Sequence, residues 1–177
     1  FETNSAGGDG GAIHFSASSS MNITNVAFIG NSAGNNSGNI DGSGGAIWHN
    51  GATSGPSSIT GSYFLSNQVL NAESADGGGA IYHGTAGILA ITASAFFGND
   101  ASGDDARGGA IYNNSGDDFA MTINYSHFGE LLGVGVPPIP PIIIPGASFN
   151  VVAAIGANGA GNTVSGTSTN TAGGGAI

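Results

Sequence analysis

The chain contains no cysteine, no lysine and one arginine, Arg107, in 177 residues. Without cysteine there is neither a disulfide framework nor a thiolate metal site, so packing alone must supply the stability. Eleven acidic residues against that one cation give a formal net charge of -10. The electrostatic grip on phosphates that nucleic acids or an anionic membrane surface demand is missing. Long apolar runs are missing too, since the stretch from Val136 to Pro145 is short and broken by Pro137, Pro138, Pro140 and Pro141, which argues against a membrane span. No basic and apolar leader precedes Phe1, which opens inside a repeat, so the chain is expected to be an excised or processed piece. Glycine is abundant, at 34 residues, far above the usual ~7%. Each glycine inside a helix costs about 1 kcal/mol relative to alanine, so helix is improbable.

Two strings keep time along the chain. Gly-Gly-Ala-Ile occurs at Gly10 to Ile13, Gly44 to Ile47, Gly78 to Ile81, Gly108 to Ile111 and Gly174 to Ile177. The intervals are 34, 34, 30 and 66 residues, the last close to two periods of about 33, which is the mark of a repeat architecture. Between these stand Phe1-x-x-Asn4, Phe28-x-x-Asn31, Phe64-x-x-Asn67 and Phe96-x-x-Asn99, with Phe128 in place but Leu131 where an asparagine is expected. From each Ile to the next Phe the separations are 15, 17, 15 and 17, whereas from each Asn to the next Gly-Gly they are 6, 13, 11 and 9. One half of the repeat is geometrically fixed, and the other accepts insertions.

The fixed half carries Ile23, Ile59, Ile91 and Ile123, each five residues before its Phe. Two residues earlier stand Met21, Ser57, Leu89 and Met121, so three of the four units read apolar-x-Ile, the period of a half-buried strand. An odd offset of five cannot keep Ile and Phe on one face of an unbroken strand. The chain must therefore bend near Asn25, Gly61, Ala93 and Tyr125. Short strands separated by corners bury little in pairs, but coils stacked at ~4.8 Å align Ile on Ile, Phe on Phe and Asn on Asn. The predicted fold is an all-β parallel β-helix of about five coils of ~33 residues, one coil per repeat. Ile13, Ile47, Ile81, Ile111, Phe28, Phe64, Phe96 and Phe128 are its core, and Asn31, Asn67 and Asn99 hydrogen-bond from layer to layer inside a turn. A disordered Gly/Ser/Asn-rich linker would need none of these fixed offsets.

The alternation of Gly-Gly-Ala-Ile with Phe-x-x-Asn resembles the repeats of the polymorphic outer-membrane protein family over about residues 1 to 130, and again at 173 to 177. The resemblance implies a right-handed parallel β-helix of an autotransporter passenger, an extracellular location at a bacterial surface, and adhesive or structural roles without catalysis. The missing Asn after Phe128 departs from the pattern, and no translocator barrel accompanies the repeats.

Residues 1–130 therefore read as regular repeats, 131–172 as a degenerate repeat with a Pro/Ile-rich insertion, and 173–177 as the start of a further coil. The insertion holds Ile142, Ile143 and Ile144, which either lie back on the solenoid from a polyproline-II-like loop or dock another subunit. Phe1 opens half a repeat and Ile177 closes the start of another, so either the natural chain continues or subunits stack head to tail into a filament.

Acids recur before the Gly-Gly strings, at Asp9, Asp41, Asp76, Asp104 and Asp105. Stacked as a column, they are either solvated turn acids or, as Asp9, Asp41, Asp76 and Asp105, oxygen ligands for calcium as a cofactor. After the Ile of each string come His14, Trp48, Tyr82 and Tyr112, which alternation sends outward, either to stack on one another or to meet a sugar ring or protein partner. Next stand Phe15, His49, His83 and Asn113. The expected function is a non-catalytic structural and adhesive cell-surface module that self-associates head to tail into fibres. Its other partners would be a host surface, a glycan or a cell-surface protein. The competing class is a polysaccharide-binding or polysaccharide-degrading β-helix, for which Asp104 with Asp105 and Asp117 with Asp118 supply paired acids but Arg107 is the only cation. A row-forming ice-binding solenoid has only Thr167, Thr169 and Thr171 as its hint.

Overall fold

The computed structural model describes residues 1–16, 18–35, 40–50, 55–72, 76–84, 87–115 and 121–129, together with the backbone of one strand at 163–165. They form strands and turns stacked as a parallel β-solenoid. After a short β1 (Ser5–Ala6), the first full coil holds β2 (Ile13–Phe15), β3 (Asn22–Thr24), β4 (Ala27–Ile29) and β5 (Ser32–Ala33). The second holds β6 (Ile47–His49), β7 (Ser57–Thr60), β8 (Tyr63–Leu65) and β9 (Gln68–Val69), and the third β10 (Ile81–His83), β11 (Leu89–Thr92), β12 (Ala95–Phe97) and β13 (Asp100–Ser102). A fourth runs through β14 (Ile111–Asn113), β15 (Met121–Asn124) and β16 (His127–Gly129) to β17 (Thr163–Ser165).

Like strands pair with like. The four sheets run β2-β6-β10-β14, β3-β7-β11-β15, β4-β8-β12-β16 and β1-β5-β9-β13-β17, every pairing parallel and in register. Ile47 lies opposite Ile13 and Ile81, and Phe64 opposite Phe28 and Phe96. Among the described residues the expected count of about five coils is corrected to three complete coils and a fourth. The 66-residue interval from Gly108 to Gly174 suggested two layers, but β17 pairs directly with β13 and so belongs to the coil that β14 begins. Residues 130–162 separate β16 from β17 along the chain.

The corners lie where the odd offset requires them. Asn25, Gly61, Ala93 and Tyr125 all have positive φ, at 55°, 60°, 50° and 51°. That left-handed backbone costs a side-chain-bearing residue roughly 1–2 kcal/mol, and it reverses the pleat so that both Ile and Phe face inward. The Gly-Gly pair has two separate reasons. Gly44 turns the chain at φ 66°, and a Cβ there would strike the Ile47 carbonyl, while a Cβ on Gly45 would strike the Gly79 carbonyl of the next coil. Only hydrogen fits between coils that close.

Inside, Phe28, Phe64, Phe96 and Phe128 form a stack with centroids 4.8, 4.6 and 4.7 Å apart and planes within 5° of parallel. Ile47, Ile81, Ile111, Ile59 and Ile91 are fully buried, and Ile13 and Ile123, in the outer coils, pack against the same core partly buried. Each such side chain contributes about 1.5–3 kcal/mol. At the opposite edge Ala33, Val69 and Ala101 form a second, narrower core.

Candidate functional site

Asparagine amides close one turn. Asn31 donates from N and Nδ2 to Asn67 Oδ1 at 3.1 and 2.8 Å, and Asn67 repeats the pattern on Asn99 at 3.0 and 2.9 Å. Asn4 does the same on Asn31 at 3.1 and 2.9 Å, so the ladder spans four layers. The buried amides of Asn31, Asn67 and Asn99 satisfy turn backbone and are structural.

The four candidate calcium acids do not align. Asp9 stands one residue before its Gly-Gly, Asp76 two, and Asp41 and Asp105 three. Because this turn differs in length from coil to coil, each carboxylate meets different groups. Asp9 Oδ1 accepts the Ser43 amide at 2.9 Å, and Asp76 Oδ1 accepts the Ser43 hydroxyl at 2.9 Å. Asp41 Oδ1 accepts from Asn71 at 3.3 Å, while Asp105 is tied through its own amide to the Ala72 carbonyl at 3.4 Å. Burial lifts the Asp9 carboxyl above its usual range, with the Ser43 amide pulling the other way. Among the described residues no group of three His, Cys, Asp or Glu side chains is placed to hold a metal ion.

The predicted outward column is brought together by the register His14, Trp48, Tyr82, Tyr112. Its rings stack on one another. His14 and Trp48 lie 4.2 Å apart at 19°, Trp48 and Tyr82 6.1 Å apart at 5°, and Tyr82 and Tyr112 meet edge to face at 66°. Arg107 Nη1 donates to the Tyr112 hydroxyl at 3.0 Å, that hydroxyl donates to Asn114 Oδ1 at 3.2 Å, and Asn114 Nδ2 donates to the Tyr82 hydroxyl at 3.0 Å. Burial raises the Tyr82 phenol pKa, with Asn114 opposing it. Trp48 lies between His14 and Tyr82 in this ring column, which ties successive coils together along the outside of the solenoid.

The next residue on the two middle strands points inward, whereas Asn113 at the same register on β14 is exposed. His49 and His83 are fully buried, their Nδ1 atoms 2.9 Å apart, and His49 Nε2 lies 2.8 Å from Ser57 Oγ. Phe15 stacks on the His49 ring at 5.3 Å and 7°. Burial first, and the neighbouring His83 second, lower the His49 pKa to about 4.

One surface escaped the sequence reading. On β4, β8, β12 and β16 the residues flanking the buried Phe point outward, which places Ile29, Leu65, Phe97 and Gly129 in one column and Ala27, Tyr63, Ala95 and His127 in the other. All are at least partly exposed. The available signal was a triplet such as Tyr63-Phe64-Leu65, apolar on both sides where alternation calls for polar flanks. Of the remaining candidates, Phe1 is 55% exposed and stacks on Phe28 at 5.1 Å, while Ile142, Ile143, Ile144 and Ile177 lie outside the described residues.

No protein-family model, curated protein or solved structure matches this chain. No helix among the described residues is long and apolar enough to cross a membrane.

Proposed function

We propose that this chain is a non-catalytic structural and adhesive module of a bacterial cell surface, and that such modules associate end to end into extracellular fibres. The observation that carries the reading is the continuity of its side-chain ladders. Phenylalanine, isoleucine and asparagine each repeat layer upon layer without a break through the full coils. Such a stack resists extension because many backbone and side-chain contacts must fail together.

Three charged groups that chemistry could use are engaged in holding the stack. Arg107 is bonded to Tyr112, and Asp9 and Asp76 are bonded through Ser43. The surface location and the lack of catalysis follow from the resemblance of the alternating strings to polymorphic outer-membrane protein repeats. Fibre formation follows from parallel pairing, since wherever such a stack stops its last layer presents unpaired N–H and C=O groups to an identical layer.

Beads coated with the purified chain test the adhesive half: they are expected to hold under shear on polysaccharide-coated or protein-coated surfaces from which bare beads detach. Release from every surface removes that half. Electron microscopy tests the other, with long filaments expected and discrete particles at high concentration counting against assembly.

A further inference from the structure

We propose that the outward face of the β4-β8-β12-β16 sheet binds a neutral, extended, β-linked hexopyranose chain laid along the solenoid axis. This rests on the adhesive reading above and names the surface and partner class that would serve it.

The face is built from Ile29, Tyr63, Leu65, Phe97 and His127, with no carboxylate or basic aliphatic side chain among its eight outward positions. Its rings differ from those of the Trp48 column in how they are held. Tyr63 and Phe97 lie 5.5 Å apart with planes at 47°, and Phe97 and His127 lie 5.3 Å apart at 44°. Rings tilted so far are not laid face to face, and Tyr63, Phe97 and His127 each keep part of their surface exposed. By contrast, Trp48 lies nearly parallel to both neighbours, at 19° to His14 and 5° to Tyr82, and His14 at 4.2 Å covers one of its faces. Open aromatic faces carry partial negative charge and attract the C–H groups of a pyranose.

Spacing selects an extended polymer. Tyr63, Phe97 and His127 belong to successive coils, so one ring is presented for every ~4.8 Å of axial rise. That rise is close to the length of one sugar in an extended β-1,4-linked chain. Around the adjoining corner, Thr24, Thr60, Thr92 and Asn124 form a column of hydroxyl and amide groups on the neighbouring sheet, where sugar hydroxyls need partners.

Charge selects a neutral polymer. A chain of net charge -10, whose one arginine is bonded to Tyr112, repels uronate or sulfate polymers. An apolar, uncharged face carries no such penalty for an uncharged glycan.

Calorimetric titration with cellohexaose and chitohexaose tests the assignment. The intact chain is expected to bind at least one of them. Phe97→Thr and Tyr63→Thr, both strand-compatible, are expected to weaken it at least tenfold, whereas Trp48→Thr leaves it within twofold. Phe97→Leu keeps the apolar bulk and removes the ring, so it should also lose tenfold if any threonine variant proves unstable. Saturation transfer from the hexaose to the Tyr63 and Phe97 ring protons reads the same contact without a substitution. Failure of the intact chain to bind either hexaose, or affinity unchanged in both Phe97 variants, overturns the proposal. So does a dimer of the intact chain that Phe97→Thr converts to monomer, because the face would then be a self-contact. If the coated beads adhere while the hexaoses do not bind, the adhesive reading stands and this one falls; if neither holds, both fall.

Discussion

His49 and His83 face each other through Nδ1 atoms 2.9 Å apart, both side chains fully buried in consecutive coils. A contact that short has room for one proton, so whichever nitrogen carries it, the other must be bare. Two imidazolium rings cannot share the site.

A stability change with pH follows. The folded His49 pKa is about 4, against an unfolded value near 6.5. Its contribution is fully present above about pH 6.5 and is lost as pH falls toward 4, because the unfolded chain takes up a proton that the fold refuses. Over that window the loss is on the order of 3 kcal/mol. Asp9, whose carboxyl burial raises, works in the opposite sense. The double variant His49→Phe, His83→Phe continues the column begun by Phe15, and urea unfolding at several pH values should show the histidine share of the slope gone.

The Asn67 side chain accepts two hydrogen bonds from Asn31 at Oδ1 and donates two from Nδ2, to Asn99 Oδ1 and to the Phe28 carbonyl at 3.0 Å. Aspartate at this position still accepts but cannot donate, and it brings a carboxylate against Asn99 Oδ1. Asn67→Asp should cost at least about 3 kcal/mol at neutral pH, measured as a lower urea midpoint.

Ile81 is fully buried between Ile47 and Ile111. Ile81→Asp should open its coil and weaken both neighbours, whereas Ile81→Val should cost only about 1 kcal/mol. Trypsin gives a direct readout, because Arg107 is the sole cation and its carbonyl is held by the Gly78 amide at 2.9 Å. Cleavage at that one bond should accelerate sharply in the aspartate variant and little in the valine variant.

The corners give paired outcomes of opposite sign. Ala93 has φ 50° where the preceding coil has Gly61 at φ 60°. Ala93→Gly should therefore raise the thermal midpoint, by an amount equivalent to about 0.5 kcal/mol once the extra freedom of the unfolded chain is counted. Gly45→Ala should lower it by more, since its Cβ would meet the Gly79 carbonyl.

How much of this was visible in the residue order depends on which half of the repeat is considered. Between each Gly-Gly-Ala-Ile and the next Phe the length barely changes, so matched side chains land in matched layers. The columns of Ile13 and Ile47, of Phe28 and Phe64, and of Asn31 and Asn67, with the corners at Asn25 and Ala93, are all placed by the residue order itself. After each Asn the length varies, and there the linear pattern misleads: Asp9, Asp41, Asp76 and Asp105 look alike in sequence, yet Asp9 and Asp76 share Ser43 while Asp41 meets Asn71.

Spacing alone settled the parallel stack and the identity of its core, because a strand's side chains alternate and a solenoid repeats them at one rise per coil. Three matters waited for the folded chain: the number of layers, through the pairing of β17 with β13; the closeness of His49 to His83; and the tilt of Phe97 against Tyr63 and His127. Each depends on distances and angles between residues about 30 or more apart in the chain, which a one-dimensional period does not encode.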